Sequence, residues 1–411
     1  MSSAQQTQTQ GEQPDQQSPP PGREPGRFAT ALAELRDGPV LLSVLSVVLA
    51  LVVGAVLIAV ADPDVQETAT YLTARPSDFF VALASAVGGA YTALVQGAVL
   101  DWTAATPARV VRPLTETLTV ATPLIAAGLG VALGFRAGLF NIGAQGQIII
   151  GALLAAYVGF ALDLPVGVHL LLALLGGIVG GALWGGVVGA LKARTGAHEV
   201  IVTIMLNYVA LRLADYLLTL EAFQRENQAN PITPPVADSA QLPLLLGPSF
   251  RLHAGFLLVL LAAVFVWWLL ERSTIGFSLR AVGANPAAAR TAGISVPTSF
   301  VVVMLFSGGL AGLAGAVHLL GTEDSLTAGI AGSFGFDAIT VALLGRSRPL
   351  GVVLAGLLFG ALQAGGISMQ ARTGTPVDIV LVVQSLIVLF IAAPPLVRAI
   401  FRLKTPRGAG A

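Results

Sequence analysis

Ten apolar stretches of about 20 residues recur along this 411-residue chain, near 39–61, 114–135, 142–162, 166–191, 200–220, 253–270, 299–320, 330–345, 350–368 and 378–396. Runs of that length, coiled as α-helices, match the hydrocarbon thickness of a bilayer. Lipid offers no partner for backbone N–H and C=O groups, so a segment crossing it must satisfy them internally. The expected fold class is therefore all-α, a polytopic integral membrane protein with about ten transmembrane helices. Composition agrees, because only 11% of residues are charged and 55% are hydrophobic, whereas about a quarter are charged in soluble domains.

Formal net charge is zero, so no global field points to nucleic acid or a polyanionic substrate. The absence of cysteine removes disulfides, thiolate nucleophiles and sulfur metal ligands. The distribution of charge is more informative. With an even number of crossings and a cytoplasmic tail, fifteen of the 22 Lys and Arg residues fall on the inner side, including Lys192, Arg194, Arg346 and Arg348. The positive-inside rule then places both termini in the cytoplasm. Residues 79–100 are uncharged and long enough to span, but counting them breaks this parity and moves those basic pairs outside. They read instead as a helix lying in the outer interface or dipping partway in.

Four regions follow: a disordered cytoplasmic tail over 1–37, rich in Gln, Ser, Pro and Gly; a first transmembrane helix with an outer interfacial segment over 38–104; a transmembrane domain over 105–397; and a basic cytoplasmic tail over 398–411. The first apolar run begins too late for a signal peptide and stays as an anchor. A Pro-rich outer segment over 221–252 suits an ordered cover or docking surface.

Within this apolar body, RAGLFNIGAQGQ (136–147) is a polar, glycine-rich knot between two spans. The amides of Asn141, Gln145 and Gln147 are costly in hydrocarbon unless satisfied, so they face either a wet passage or neighbouring backbone groups. The roles of Gly138, Gly143 and Gly146 are geometric, allowing a helix break or close approach. Glu199, Thr203 and Asn207 fall at four-residue steps on one helical face, which turns toward the protein interior. Thr203 and Asn207 join the candidates for a passage, while Glu199 sits near the cytoplasmic end, within reach of Arg194. Asp337 is the lone carboxylate of the 330–345 stretch. An ionisable group there is a functional candidate, although a cap near the outer face, with Ser333 beside it, is the simpler account. The histidines sit at span ends without metal-ligand spacing, and Trp267 and Trp268 suit an interfacial anchor. No Ser-His-Asp or paired-carboxylate arrangement suggests catalysis. The only lysines, Lys192 and Lys404, each follow Leu, so the chain has no GxxxxGK[ST] phosphate loop. It is expected not to be an enzyme.

The loop over 271–297 has a helix-forming centre. Asn285 can cap a helix starting at Pro286, residues 287–289 favour it, and Gly293 can end it in the left-handed conformation. A short helix along the inner membrane surface is expected.

Three stretches, GLFNIGAQGQ (138–147), GFSLRAVGANPAAARTAGI (276–294) and FDAITVALLGRSRPLG (336–351), resemble the permease subunits of bacterial ABC importers, in the branch that includes branched-chain amino acid, ribose-type sugar and nucleoside permeases. A fourth, HEVIVTIMLNYVA (198–210), looks most like the nucleoside branch. The likeness covers roughly 105–395. It implies the ABC importer permease fold in a bacterial plasma membrane, pairing with a second permease, identical or related. Cytoplasmic ATP-binding subunits would use the ATP, no cofactor being bound by this chain, and an extracytoplasmic substrate-binding lipoprotein would deliver cargo. It also implies an ATPase-coupling helix over 280–293, carried by Arg280, Gly283, Asn285, Pro286, Ala289, Arg290 and Gly293. The expected cargo is a nucleoside or related riboside, with a sugar or branched-chain amino acid as alternatives. Asn141, Gln145, Gln147, Thr203 and Asn207 would border a weakly binding passage. A self-contained secondary carrier or channel, with Asp337 as its coupling acid, is the competing class.

Overall fold

The computed structural model describes residues 39–228 and 230–402. The expected tail over 1–37 and most of the C-terminal one lie outside these residues. The described chain is helical: α1 (Pro39–Ala61), α2 (Pro63–Thr70), α3 (Pro76–Ala98), α4 (Pro107–Arg136), α5 (Ala144–Ala161), α6 (Val168–Thr195), α7 (Glu199–Leu217), α8 (Gly255–Arg272), α9 (Thr274–Ala284), α10 (Pro286–Thr291), α11 (Val296–His318), α12 (Phe334–Leu344), α13 (Pro349–Thr373), α14 (Asp378–Ala392) and α15 (Pro394–Ile400). Proline opens many of them, where its missing N–H is one of the orphan donors and its fixed φ suits the first turn. Among the described residues nine helices are long and apolar enough to cross a bilayer, and α14 with α15 supplies a tenth if that pair, bent by 96°, is one span.

Helix α4 runs through the middle of the bundle, buried along most of its length. Against it lies α13, antiparallel, with Gly128 beside Val352, Gly356 beside Ile125 and Gly360 beside Ala121. Helices α6 and α11 meet through small residues: a Cβ on Gly181 would stand 2.2 Å from the Gly308 carbonyl oxygen. Contact this close is backbone on backbone, the packing that small residues allow where lipid supplies no hydrophobic drive between helices.

Three expected spans are corrected. The 114–135 stretch begins earlier, at Pro107, and forms a 30-residue helix. The 378–396 stretch ends at Ala392, where Pro394 and Pro395 begin the turn into α15. The 330–345 stretch is not one continuous helix: α12 has 11 residues, about 16 Å, half the hydrocarbon thickness, and irregular chain makes up the rest of a broken span. An irregular stretch over 324–333 precedes α12, with Gly332 at φ +44°. Hydropathy reads this segment as a span because a half-helix packed inside protein is as apolar as one in lipid.

Helix α3 is engaged through its C-terminal half. Tyr91 donates from its hydroxyl to the Leu51 carbonyl of α1, Gly97 sits on Ser368, and Gly365 is backed by Leu94 and Ala98. Thr117 of α4 donates to the Ala98 carbonyl at 2.6 Å. Gly89 is already level with Thr373, the last residue of α13. The first half of α3 carries exposed Phe80 and Val81.

Candidate functional site

After α4 the chain folds back along the helix it has just left, with Leu139 N–H donating to the Gly134 carbonyl at 3.0 Å and Gly138 at φ +75°. It then climbs to the middle of the bundle before α5 begins. There Asn141 is fully buried: its Nδ2 donates to Gln147 Oε1 (3.0 Å) and Ser307 Oγ (2.8 Å), and its Oδ1 accepts from Gly143 N–H (2.9 Å). The Ser307 hydroxyl donates in turn to the Gly130 carbonyl at 2.7 Å. This cluster lashes the broken entry of α5 to α4 and α11.

Gln145, in the first turn of α5, ties two broken spans together. Its Oε1 accepts from Gly335 N–H (2.9 Å) in the first turn of α12, and its Nε2 donates to the Gly332 carbonyl (2.7 Å) in the irregular stretch before it. From α7, Asn207 Oδ1 accepts from Gly146 N–H (2.8 Å) and its Nδ2 donates to the Ile142 carbonyl (3.0 Å). Irregular backbone at membrane depth leaves orphan N–H and C=O groups, and these amide side chains satisfy them.

Where the two breaks meet there is a cavity of about 470 Å³, lined by Gln145, Asn207, Tyr208 and Phe336 together with Ile142 and the glycines before α12. Its wall is largely apolar, with two aromatic rings and two amides. It opens onto an exposed face of α7 that carries Ile201, Met205, Tyr208 and Tyr216.

Of the six residues expected to border a passage, Gln145 and Asn207 line this cavity. Asn141, Gln147 and Thr203 do not; they lie behind its wall, fully buried, with the Thr203 hydroxyl donating to the Val200 carbonyl at 3.0 Å. Asp337 is turned away from it as well. Its carboxylate accepts from Ser333 Oγ (2.6 Å) and from Gln363 Nε2 of α13 (3.1 Å). Ser333 does partner Asp337, in the first turn of α12 and level with Gln145. Glu199 pairs with Lys192 at 2.6 Å, not with Arg194.

The loop after α8 folds as two helices, where one over 280–293 was expected. They break at Asn285, whose Oδ1 accepts from Ala287 and Ala288 N–H at 3.0 and 3.1 Å, so that α10 starts at Pro286. Gly293 ends it at φ +83°, and Ile294 N–H returns to the Ala289 carbonyl at 3.0 Å. Ala289 is buried with Val282 and Val296, while Arg290 points to the exposed side. Gly283 rests directly on the turn after α4, where its Cβ position lies 2.3 Å from the Arg136 carbonyl oxygen. Beside this seat Glu271 lies between Arg136 (3.3 Å) and Arg280 (3.7 Å).

Residues 114–392, which hold both breaks, the cavity and this loop, match the family described as the branched-chain amino acid transport system permease component. The chain belongs to that family. The permease is 43% identical over 301 residues to the guanosine ABC transporter permease protein NupP of Bacillus subtilis, covering 72% of this chain and 85% of that one. It is 39% identical over 287 residues to the glucose ABC transporter permease protein TsgB13 of Haloferax volcanii, covering 68% and 75%. It is 36% identical over 297 residues to the nucleoside ABC transporter permease protein NupB of Lactococcus lactis, covering 68% and 79%. No solved structure matches it.

Tyr208 and Phe336 were not among the residues picked from the permease sequence. Each adjoins one that was, Asn207 and Asp337, but aromatic residues are common throughout apolar helices. Only the meeting of α7 with α12 sets them on one wall. Ser307 and Gln363 were missed for a similar reason, since their amide and carboxylate partners lie far away in sequence.

Proposed function

We propose that this chain is the membrane-spanning subunit of an ATP-driven ABC importer for nucleosides, and that its cargo passes the cavity between the two broken spans. One observation carries this reading: Gln145 and Asn207, held by backbone groups, share a wall with Tyr208 and Phe336. A planar base can stack on the rings, and each amide keeps hydrogen-bonding capacity for ribose or base. Few polar groups face the cavity, which suits a passage that cargo must also leave. Similarity to guanosine and nucleoside permeases supports the same cargo. The glucose permease relative favours a sugar as the second reading.

The exposed face of α7 beside the cavity is where a second permease subunit closes the passage. Helices α9 and α10 dock the cytoplasmic ATP-binding subunits, and an extracytoplasmic binding lipoprotein delivers cargo at the opposite end. Both termini lie in the cytoplasm, and α3 dips into the membrane from the outer side without crossing. The seat of α9 on the turn after α4 then transmits rigid-body movement to the entry of α5.

Uptake into proteoliposomes holding the assembled importer tests the proposal, with tritiated guanosine, tritiated glucose and a nonhydrolysable ATP analogue as arms. The expected result is guanosine uptake that requires hydrolysis. Glucose uptake without guanosine uptake would transfer the assignment to a sugar, and uptake driven by a proton gradient in the absence of ATP would end it.

A further inference from the structure

At the end of the bundle away from α9 and α10, the last turns of α3 and α13 and the first turns of α4 enclose a second cleft, of about 760 Å³. Its wall changes character with depth. Along α4 the lining residues step from Arg109 and Arg112 through Glu116 to Val120, and along α13 from Arg372 through Ser368 and Ile367 to Ala364. Arg251 adds a fourth cation at the rim. From Arg109 to Val120 the helix descends about 16 Å, close to the hydrocarbon depth of one leaflet.

The charges at the rim are unequally matched. Arg372 is bound to Asp101, whose carboxyl this guanidinium, with help from Thr103, holds down at about 2. Glu116 is shared loosely, 3.7 Å from Arg112 and 3.5 Å from Arg251, and its buried Oε1 has no hydrogen-bond donor. Arg109 is exposed and has no ion pair among the described residues. Deeper in the cleft, Ile367 is 65% exposed.

We propose that this cleft binds an anionic glycerophospholipid, with its phosphate against Arg109 and Arg112 and an acyl chain along Val120, Ala364 and Ile367. A phospholipid in the leaflet at this end presents the same order, anion then hydrocarbon, over the same distance. Basic pockets between membrane helices take such headgroups. A soluble anion or an acidic protein surface would meet the rim alone and leave the apolar depth uncovered.

Native mass spectrometry of the delipidated full-length permease, titrated with dioleoyl phosphatidylglycerol or dioleoyl phosphatidylcholine, tests this. Phosphatidylglycerol should bind roughly tenfold more tightly, and Arg109→Gln should weaken it roughly fivefold, the value of one cation near a membrane surface. Ile367→Asp, at an exposed position with every arginine in place, should weaken both lipids. Monodisperse elution establishes that each variant is folded. Equal binding of the two lipids, or full retention by Arg109→Gln, would overturn the proposal. So would displacement of the lipid by glycerol 1-phosphate or polyglutamate at matched concentration, which would make the cleft a site for free phosphate or for an acidic protein.

Discussion

Replacing Gly283 with alanine tests whether movement of α9 reaches the cavity through the turn after α4. The added Cβ would stand 2.3 Å from the Arg136 carbonyl oxygen and 2.9 and 3.0 Å from the backbone carbons of Ala137. Favourable carbon contacts lie at about 3.5–4.0 Å, so the two surfaces must part by about 1 Å. Both sides are backbone, and no side chain can swing away to absorb the strain. Overpacking of this kind costs about 1–3 kcal/mol. It also lengthens the pairs of Glu271 with Arg136 and Arg280, now 3.3 and 3.7 Å. A coupling free energy of the same size corresponds to roughly 5- to 150-fold in the linked equilibrium. In proteoliposomes of the assembled importer, ATP hydrolysis should therefore persist while guanosine uptake per ATP falls at least fivefold. Gly374→Ala is the matched control. That glycine is left-handed at φ +71° with nothing within 4 Å of its Cβ position, at the opposite end of the bundle. It should lower stability and leave the uptake-to-ATP ratio unchanged. An unchanged ratio in Gly283→Ala would refute transmission through this seat.

Gln145→Met keeps the side-chain volume but orphans Gly335 N–H and the Gly332 carbonyl, and should cost about 1–3 kcal/mol; a thermal melt equal to wild type would contradict its role in joining the two breaks. Tyr208→Ala removes one ring from the cavity wall, and loss of base stacking worth about 1–3 kcal/mol should raise the KM for guanosine several-fold or more, whereas an unchanged KM would show that the ring does not meet cargo. His253, buried just before α8, is pushed down to about 4 by burial and by Arg251. Its neutral form is favoured when folded, so this stability is fully present above the unfolded value near 6.5 and is lost as pH falls toward 4. The Tm should drop between pH 7 and pH 5 more in wild type than in His253→Asn, and equal slopes would remove His253 as the cause.

Much of the site's location was legible because its causes are local. Asn285, Pro286 and Gly293 act within a turn of where they stand, and α10 starts and stops by them. The 136–147 knot declared a helix break because its glycines and amides interrupt apolar runs, and the break is there. The roles of its amides were not legible. Asn141 found Ser307, 166 positions away, and Gln145 found Gly335, 190 positions away. Nothing within either segment names that partner. Lys192 reached Glu199 instead of leaving it to Arg194 because the turn between α6 and α7 decides which side chain arrives.

The sequence by itself determined that this chain is a bundle of membrane-length helices, where most of the apolar runs lie, and where a polar break must be satisfied inside it. Burial of backbone and transfer of side chains from water depend on composition over a window, so a window can report them. Tertiary structure alone decided that α12 is half a span, that Gln145 and Asn207 face a cavity while Asn141 and Gln147 face each other, and that Tyr208 and Phe336 share its wall. An amide in a dry interior bonds whichever group packing brings within about 3 Å, and that neighbour is set by how distant helices cross.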